Sequence, residues 1–360
     1  MMPLVQLGAF REARWSVQRV AEVFSITDYT GDGVDGRLLS LNMDLSLGGM
    51  VMIARTDGLI SNISVVDTVR GPGLTLNTRD SAAEQTLTAG VQSFTTAGIK
   101  LGSADGMNGA SGPYKAFAFK KRRRFFDIVT WTGDGTTNRR IGHSLGATPG
   151  MIWVRGRSPG NNWIIGHRGL SLGSEFVYMN NAPVATGDDT ILAMDETGFN
   201  VGSALTVNGG GQTFVAFIFA HDVSGDSAIQ CGSYIGNGSP TGPNVVLGWE
   251  PQVVLIKALG PSSSGGTWLL LPNPAAGSTD DEINLNEGGF LRNVFDWIDP
   301  TPTGFQPKAN HPYVNYLGDR YIYMAIRKAY GGLPNIVTPT AGGGALDYSD
   351  PQNSLYPHLF

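Results

Sequence analysis

Five histidines, His143, His167, His221, His311 and His358, are scattered along a chain of 360 residues, and none has the HxH, HxxxH or HExxH spacing that would bring two imidazoles onto one metal ion. Asp28, Asp32 and Asp35 share a glycine-rich turn that could grip calcium, but the glutamate that closes a calcium loop is missing, so a plain turn is the better reading. Asp188–Asp189 and Asp280–Asp281 are paired carboxylates of the type that cleave glycosidic bonds, yet both pairs fall in polar stretches where solvation explains them. Gly209–Gly211 and Gly342–Gly344 lack the lysine of a phosphate loop and follow no strand-to-helix pattern, and no Gly-x-Ser-x-Gly elbow is present. The single cysteine, Cys231, excludes an internal disulfide and a cysteine-built zinc site, and its strand-like surroundings predict a buried thiol. These residues predict no catalytic, cofactor-binding or metal site.

Recognition is the remaining chemistry. Lys120, Lys121, Arg122, Arg123 and Arg124 form a cationic run that could hold nucleic acid or an acidic partner; it could also be a solvated link, or face carboxylates of the next segment. A net charge of −5, a pI near 5.5 and the lack of a nucleic-acid motif favour protein or solvent. Trp131, Trp153, Trp163, Trp249, Trp268 and Trp297 read mainly as packing residues, while exposed aromatics near glycine-rich turns could stack on sugars. Residues 1–22 fit none of the patterns below and read as an arm, helical or extended, with Trp15 as its anchor. Residues 330–360 are rich in Pro and Gly but too apolar for a disordered tail, so Tyr356 and Phe360 are expected to lie against a surface.

The framework that must position these groups is a unit written three times. Tyr29-Thr30-Gly31-Asp32-Gly33, Trp131-Thr132-Gly133-Asp134-Gly135 and Tyr234-Ile235-Gly236-Asn237-Gly238 recur 102 and 103 residues apart. Each is followed by an apolar run, Met50–Ile53, Met151–Val154 and Val253–Ile256, with Arg55, Arg155 or Lys257 just beyond. Leu74–Asn77, Val177–Asn180 and Ile283–Asn286 match next, then Thr96–Ile99, Thr197–Phe199 and Thr303–Phe305. Each copy closes on an alternating aromatic strand, Tyr114–Phe119, Phe214–Phe219 and Tyr321–Ile326. A period this long is no solenoid rung; a unit of about 100 residues can hold its own core, so three self-contained domains are expected at 23–121, 125–221 and 228–329.

Within copy two, Phe126–Thr132, Arg139–His143, Met151–Arg155, Trp163–Ile165, Glu175–Met179, Ile191–Met194, Phe199–Val201 and Thr213–Ala220 read as strands, and fifty glycines supply turns between such runs. Many short strands without strand–helix alternation predict an all-β chain of three tandem antiparallel β-sandwiches, jelly-roll-like or immunoglobulin-like. No apolar run reaches the 18 or so residues that span a bilayer, and no signal peptide is evident, so membrane insertion is not expected.

The string FDIVTWTGDGTTNRRIGHSLGATPGMIWVRGR, followed by NNWIIGHRGL and closing on QTFVAFIFA, resembles an uncharacterised β-rich domain that occurs in tandem in structural proteins of tailed bacteriophages, often labelled tail fibre-like. The likeness is strong over copy two, fair over copy three and weak over copy one, where Leu47-Gly48-Gly49 replaces a Pro-Gly step. It implies a virion protein, assembled in the host cytoplasm, that contacts other virion proteins and copies of itself, with host-surface glycan as a further partner and without cofactor or nucleic acid. A tail-associated subunit, fibre or baseplate-like, is the first expectation; a capsid decoration protein and a carbohydrate-cleaving virion enzyme are the alternatives.

Overall fold

A computed structural model describes residues 20–329, except 61, 181–183, 188, 261–265 and 309. Most of the arm, with Trp15, and the whole tail, with Tyr356 and Phe360, lie outside the described residues. Of the arm only residues 20–22 are described; with residue 23 they form a helical turn on which Val20 and Val23 are buried.

Nine strands recur three times. Repeat one holds β1 (Phe24–Thr30), β2 (Arg37–Ser40), β3 (Gly49–Arg55), β4 (Ile63–Asp67), β5 (Leu74–Asn77), β6 (Gln85–Thr86), β7 (Val91–Phe94), β8 (Gly98–Leu101) and β9 (Pro113–Lys120). Repeat two holds β10 (Phe126–Thr132), β11 (Arg139–Gly142), β12 (Pro149–Ser158), β13 (Ile164–His167), β14 (Glu175–Tyr178), β15 (Val184–Thr186), β16 (Ile191–Asp195), β17 (Gly198–Val201) and β18 (Thr213–Ala220). Repeat three holds β19 (Ile229–Ile235), β20 (Val245–Val246), β21 (Pro251–Ala258), β22 (Trp268–Pro272), β23 (Glu282–Asn284), β24 (Gly288–Arg292), β25 (Ile298–Thr301), β26 (Gly304–Pro307) and β27 (Arg320–Arg327).

The pairing is the same each time. A six-stranded sheet runs β1-β9-β3-β4-β5-β6 and a three-stranded sheet β2-β8-β7, with the corresponding orders in the other two repeats and antiparallel partners throughout. The chain is therefore all-β and sandwich-built.

Side-chain alternation explains why the long central strands are apolar on both faces. Along β3, Val51 and Ile53 join the core between the two sheets of repeat one, whereas Met50, Met52 and Ala54 point to the opposite face. In β21 and β27, Val254, Ile256, Tyr321 and Tyr323 fill the sandwich of repeat three, and Val253, Leu255, Ile322 and Met324 point away from it. These second faces meet in one cluster that draws on all three repeats. Repeats one and three thus have a core of their own and a share in a common one, with which the core of repeat two is continuous; a large sheet left alone would expose an apolar face. Met52, Trp153, Leu255 and Met324 surround a void of about 10 Å³ where the repeats meet. That is room for no more than a single water, so the centre is packing and not a pocket.

The register also corrects two sequence matches. Leu76, Val177 and Ile283 stand opposite Val65, Ile165 and Leu270, so repeat one aligns two residues later than the Leu74–Asn77 match; a slip of two keeps the faces and hides itself in the pattern. Lys257 lies opposite Trp268 as Ala54 lies opposite Ile63, so Ala54 takes the place of Arg155 and Lys257, and Arg55 is one residue further on. Pro149 and Pro251 precede a bulge at the start of their strands; repeat one, with Gly48-Gly49, pairs there without one.

Candidate interaction surface

The Gly-Asp-Gly turns are clasps built the same way in each repeat. Tyr29, Trp131 and Tyr234 stack on the cross-strand rings of Tyr114, Phe214 and Tyr321, with centroids 5.1, 5.4 and 5.0 Å apart and planes within 18° of parallel. Their polar ends donate to the carbonyls of Met107, Val207 and Val314. The next residue, Asn108, Asn208 or Asn315, is fully buried. The Asn208 amide donates to the Asp134 carboxylate and the Thr136 carbonyl at 2.9 Å each, while its Oδ1 accepts from the Asp134 backbone N–H and from Arg139. A Cβ on Gly31, Gly133 or Gly236 would lie 2.1 Å from a backbone oxygen, and Gly33, Gly135 and Gly238 have φ between +67° and +72°. Hydrogen bonds from Thr136 and Asn208 hold Asp134 down at about 2. In repeat three Asn237 replaces the aspartate and the matching arginine is absent, so charge and countercharge leave together.

Asp28 pairs with Lys115 at 2.6 Å and Asp35 accepts from Gln92, so the three carboxylates of the suspected calcium turn point to separate partners. Among the described residues no group of three His, Cys, Asp or Glu is placed to hold a metal. Asp189 accepts from Ser203, Asp188 and Gly342–Gly344 lie outside the described residues, and Cys231 is buried with its thiol pKa raised by burial.

The cationic run is a joint. It forms the tight turn from β9 to β10, and its charges fan apart. Lys120, half-buried, ends β9; Lys121 pairs with the buried Asp127 at 2.7 Å. Arg124, at φ +61°, reaches Asp222 at 2.7 Å, beyond the end of repeat two. Arg123 lies against Gly146, and the exposed Arg122 and Arg123 form no ion pair with a described residue. Two of five cations are thus spent inside the chain on carboxylates.

Three seams close the repeats into a ring. The Trp163 indole of repeat two donates to the Asn77 carbonyl of repeat one at 2.7 Å, and the Trp268 indole of repeat three donates to the Tyr178 carbonyl of repeat two at 2.8 Å. These bonds are equivalent by register. Repeat one has Ile63 at that place and closes on repeat three through Thr78, whose hydroxyl donates to the Leu285 carbonyl at 2.6 Å. Buried Arg155 and Lys257 sit over their tryptophans at 5.4 and 5.9 Å, and burial lowers them to about 10 and about 7. At the third seam Ala54 leaves room for β24, where a methyl on Gly289 would lie 2.9 Å from the Ala54 Cβ. His167 is buried, bonded to the Tyr323 carbonyl and lowered by burial to about 3.

All six tryptophans named above are buried, so none offers a stacking face. The exposed rings lie elsewhere. Phe295, 45% exposed, packs 4.7 Å from Trp297, which is edge-on to His311 at 5.0 Å and stacked with Tyr313 at 6.2 Å. Asp280 accepts from the backbone N–H groups of Trp297 and Ile298, and Glu282 accepts from the Trp297 indole. Burial raises Asp280 to about 6 and pushes Asp296 and Glu282 up.

One family model, described as a domain of unknown function (DUF7483), matches residues 20–329. The chain belongs to the DUF7483 family. The match takes in all three repeats as a single unit, in keeping with a core they share. No curated protein matches this DUF7483 chain. Among its described residues no helix is long and apolar enough to cross a membrane. Two features of the DUF7483 ring escaped sequence reasoning. The clasp asparagine could have been found, since Asn108, Asn208 and Asn315 each stand six residues before the first ring of the closing strand. The Phe295 cluster carried no signal, because Phe295–Trp297 and His311–Tyr313 match nothing aromatic in the other two repeats.

Proposed function

We propose that this chain is a non-enzymatic structural protein of a tailed-bacteriophage virion, a tail-associated subunit, fibre or baseplate-like, that meets the host surface or connects tail parts. The single observation that carries the reading is the ring of three sandwiches on a shared core. Such a body holds its outer loops in fixed relation, which suits a part that positions contacts and transmits force. The likeness of copy two to tandem domains of phage structural proteins supports the same reading. So does the use of the polar clusters: the Gly-Asp-Gly turns, His167 and the Lys121 and Arg124 pairs all serve to hold the fold.

Electron images of intact particles labelled with an antibody against the body test this. Label on the tail supports the reading, label over the head shell favours capsid decoration, and unlabelled particles contradict both. Release of reducing sugar from host polysaccharide by the purified protein would favour the carbohydrate-cleaving alternative.

A further inference from the structure

The three repeats act as each other's controls, and repeat three departs from its siblings at one place. Ile298, Ile191 and Val91 pair alike with Pro307, Val201 and Leu101, so Trp297 occupies the position of Thr190 and Gly90. Counting back from the clasp asparagine, His311 stands where the others have Ala104 and Ala204, and Tyr313 where they have Gly106 and Thr206. Three positions that are small elsewhere are aromatic here, and they lie together. Packing of the sandwich does not require this, since the same strands close over small residues twice.

Carboxylates outnumber donors beside the rings: Asp280, Asp296 and Glu282 stand there, and the nearby ammonium, Lys308, pairs with Asp299 at 2.9 Å. Asp296 Oδ1 is buried without a hydrogen-bond partner among the described residues, while Asp280, only 1% exposed, is taken up by the backbone N–H groups of Trp297 and Ile298. Asp296 is near enough to Asp280 for its charge to act on it. His311 Nδ1 accepts from the Tyr313 N–H, which leaves Nε2 to carry the proton. A ligand matched to this face brings hydroxyl donors, an apolar C–H surface for the Phe295 ring and no negative charge. An extended peptide would instead ask for alternating donors and acceptors along a strand edge.

We propose that the Phe295–Trp297–His311–Tyr313 face of repeat three binds a neutral saccharide, with Phe295 as the stacking platform and Asp296 accepting from sugar hydroxyls. The proposal deepens the adhesion reading above and rests on it only for where the sugar would come from. Saturation-transfer NMR on the purified full chain, with chitotetraose and maltohexaose as neutral probes and sialyllactose as an acidic one, tests it. The expected result is transfer from at least one neutral probe at roughly millimolar concentration, little from sialyllactose, and a loss of affinity of about tenfold or more in Phe295→Ala. Asp296→Asn should weaken binding too, and Leu205→Ala, at an exposed position in repeat two, should leave it unchanged. No transfer from either neutral probe, equal binding of sialyllactose, binding that survives Phe295→Ala, or capture of peptides at Phe295 in place of sugar would overturn the site. Sugar binding by a protein absent from labelled particles would leave the site standing and remove the virion reading.

Discussion

Asn208 shows how much one side chain can fix. Its amide closes the Gly-Asp-Gly turn of repeat two with bonds at both ends, and it has no exposure through which water could replace them. Asn208→Ala should therefore cost about 2–4 kcal/mol in denaturant unfolding, whereas Asp134→Ala, at a side chain 45% exposed, should cost less. A loss below about 0.5 kcal/mol in Asn208→Ala would show that the turn holds without its clasp. His167 gives a pH signature. Its folded pKa, about 3, lies below the ordinary 6.5, so the unfolded chain binds the extra proton and stability falls as pH drops from 6.5 toward 3. Between pH 7 and pH 5 this group should remove about 2 kcal/mol. Asp280, raised to about 6, works the other way, stabilising below 3.8 and losing that contribution as pH rises through 6. Comparison with His167→Gln isolates the histidine: the variant should lose less stability than the parent on acidification, and parallel pH profiles would contradict the assignment.

Much of the element scale could be read from the sequence. In repeat two, β10 and β18 have the bounds expected from the sequence: β18 is central, buried on both faces and apolar almost throughout, while β10, at the sheet edge, mixes apolar with polar residues. The short edge strand β15 and the one-turn helix Leu205–Asn208 were not legible, because neither is long enough to show a period. Nor was the packing of one repeat on another. Met52, Trp153 and Leu255 look in sequence like ordinary core residues, and nothing in period-two alternation says whether a second buried face meets its own sandwich or a neighbour's. Trp163 and Trp268 are the residues that distinguish the cases, since each sends its indole N–H into another repeat. Trp268→Phe keeps most of the apolar contact and removes that bond to the half-buried Tyr178 carbonyl. It should cost about 1–3 kcal/mol, and a Trp163→Phe, Trp268→Phe double variant should lose close to the sum of the singles, because the two seams share no partner. Full retention of stability in Trp268→Phe would mean that the seam is held by apolar contact alone.

The whole body is a ring in which every repeat lends one sheet face to the others. Three domains strung in a row would each unfold at their own denaturant concentration; three sandwiches on one core should unfold together. Residue 329 ends both the compact body and the family match, so residues 20–329 are the piece to study. The most direct measurement is denaturant unfolding of that piece, followed by tryptophan fluorescence and by circular dichroism, beside repeat two expressed alone as residues 125–221. A shared core predicts one transition that coincides for both probes, and an isolated repeat two that is unfolded or aggregates through its uncovered sheet. Separate transitions for the intact body, or a stably folded and monomeric repeat two, would contradict it.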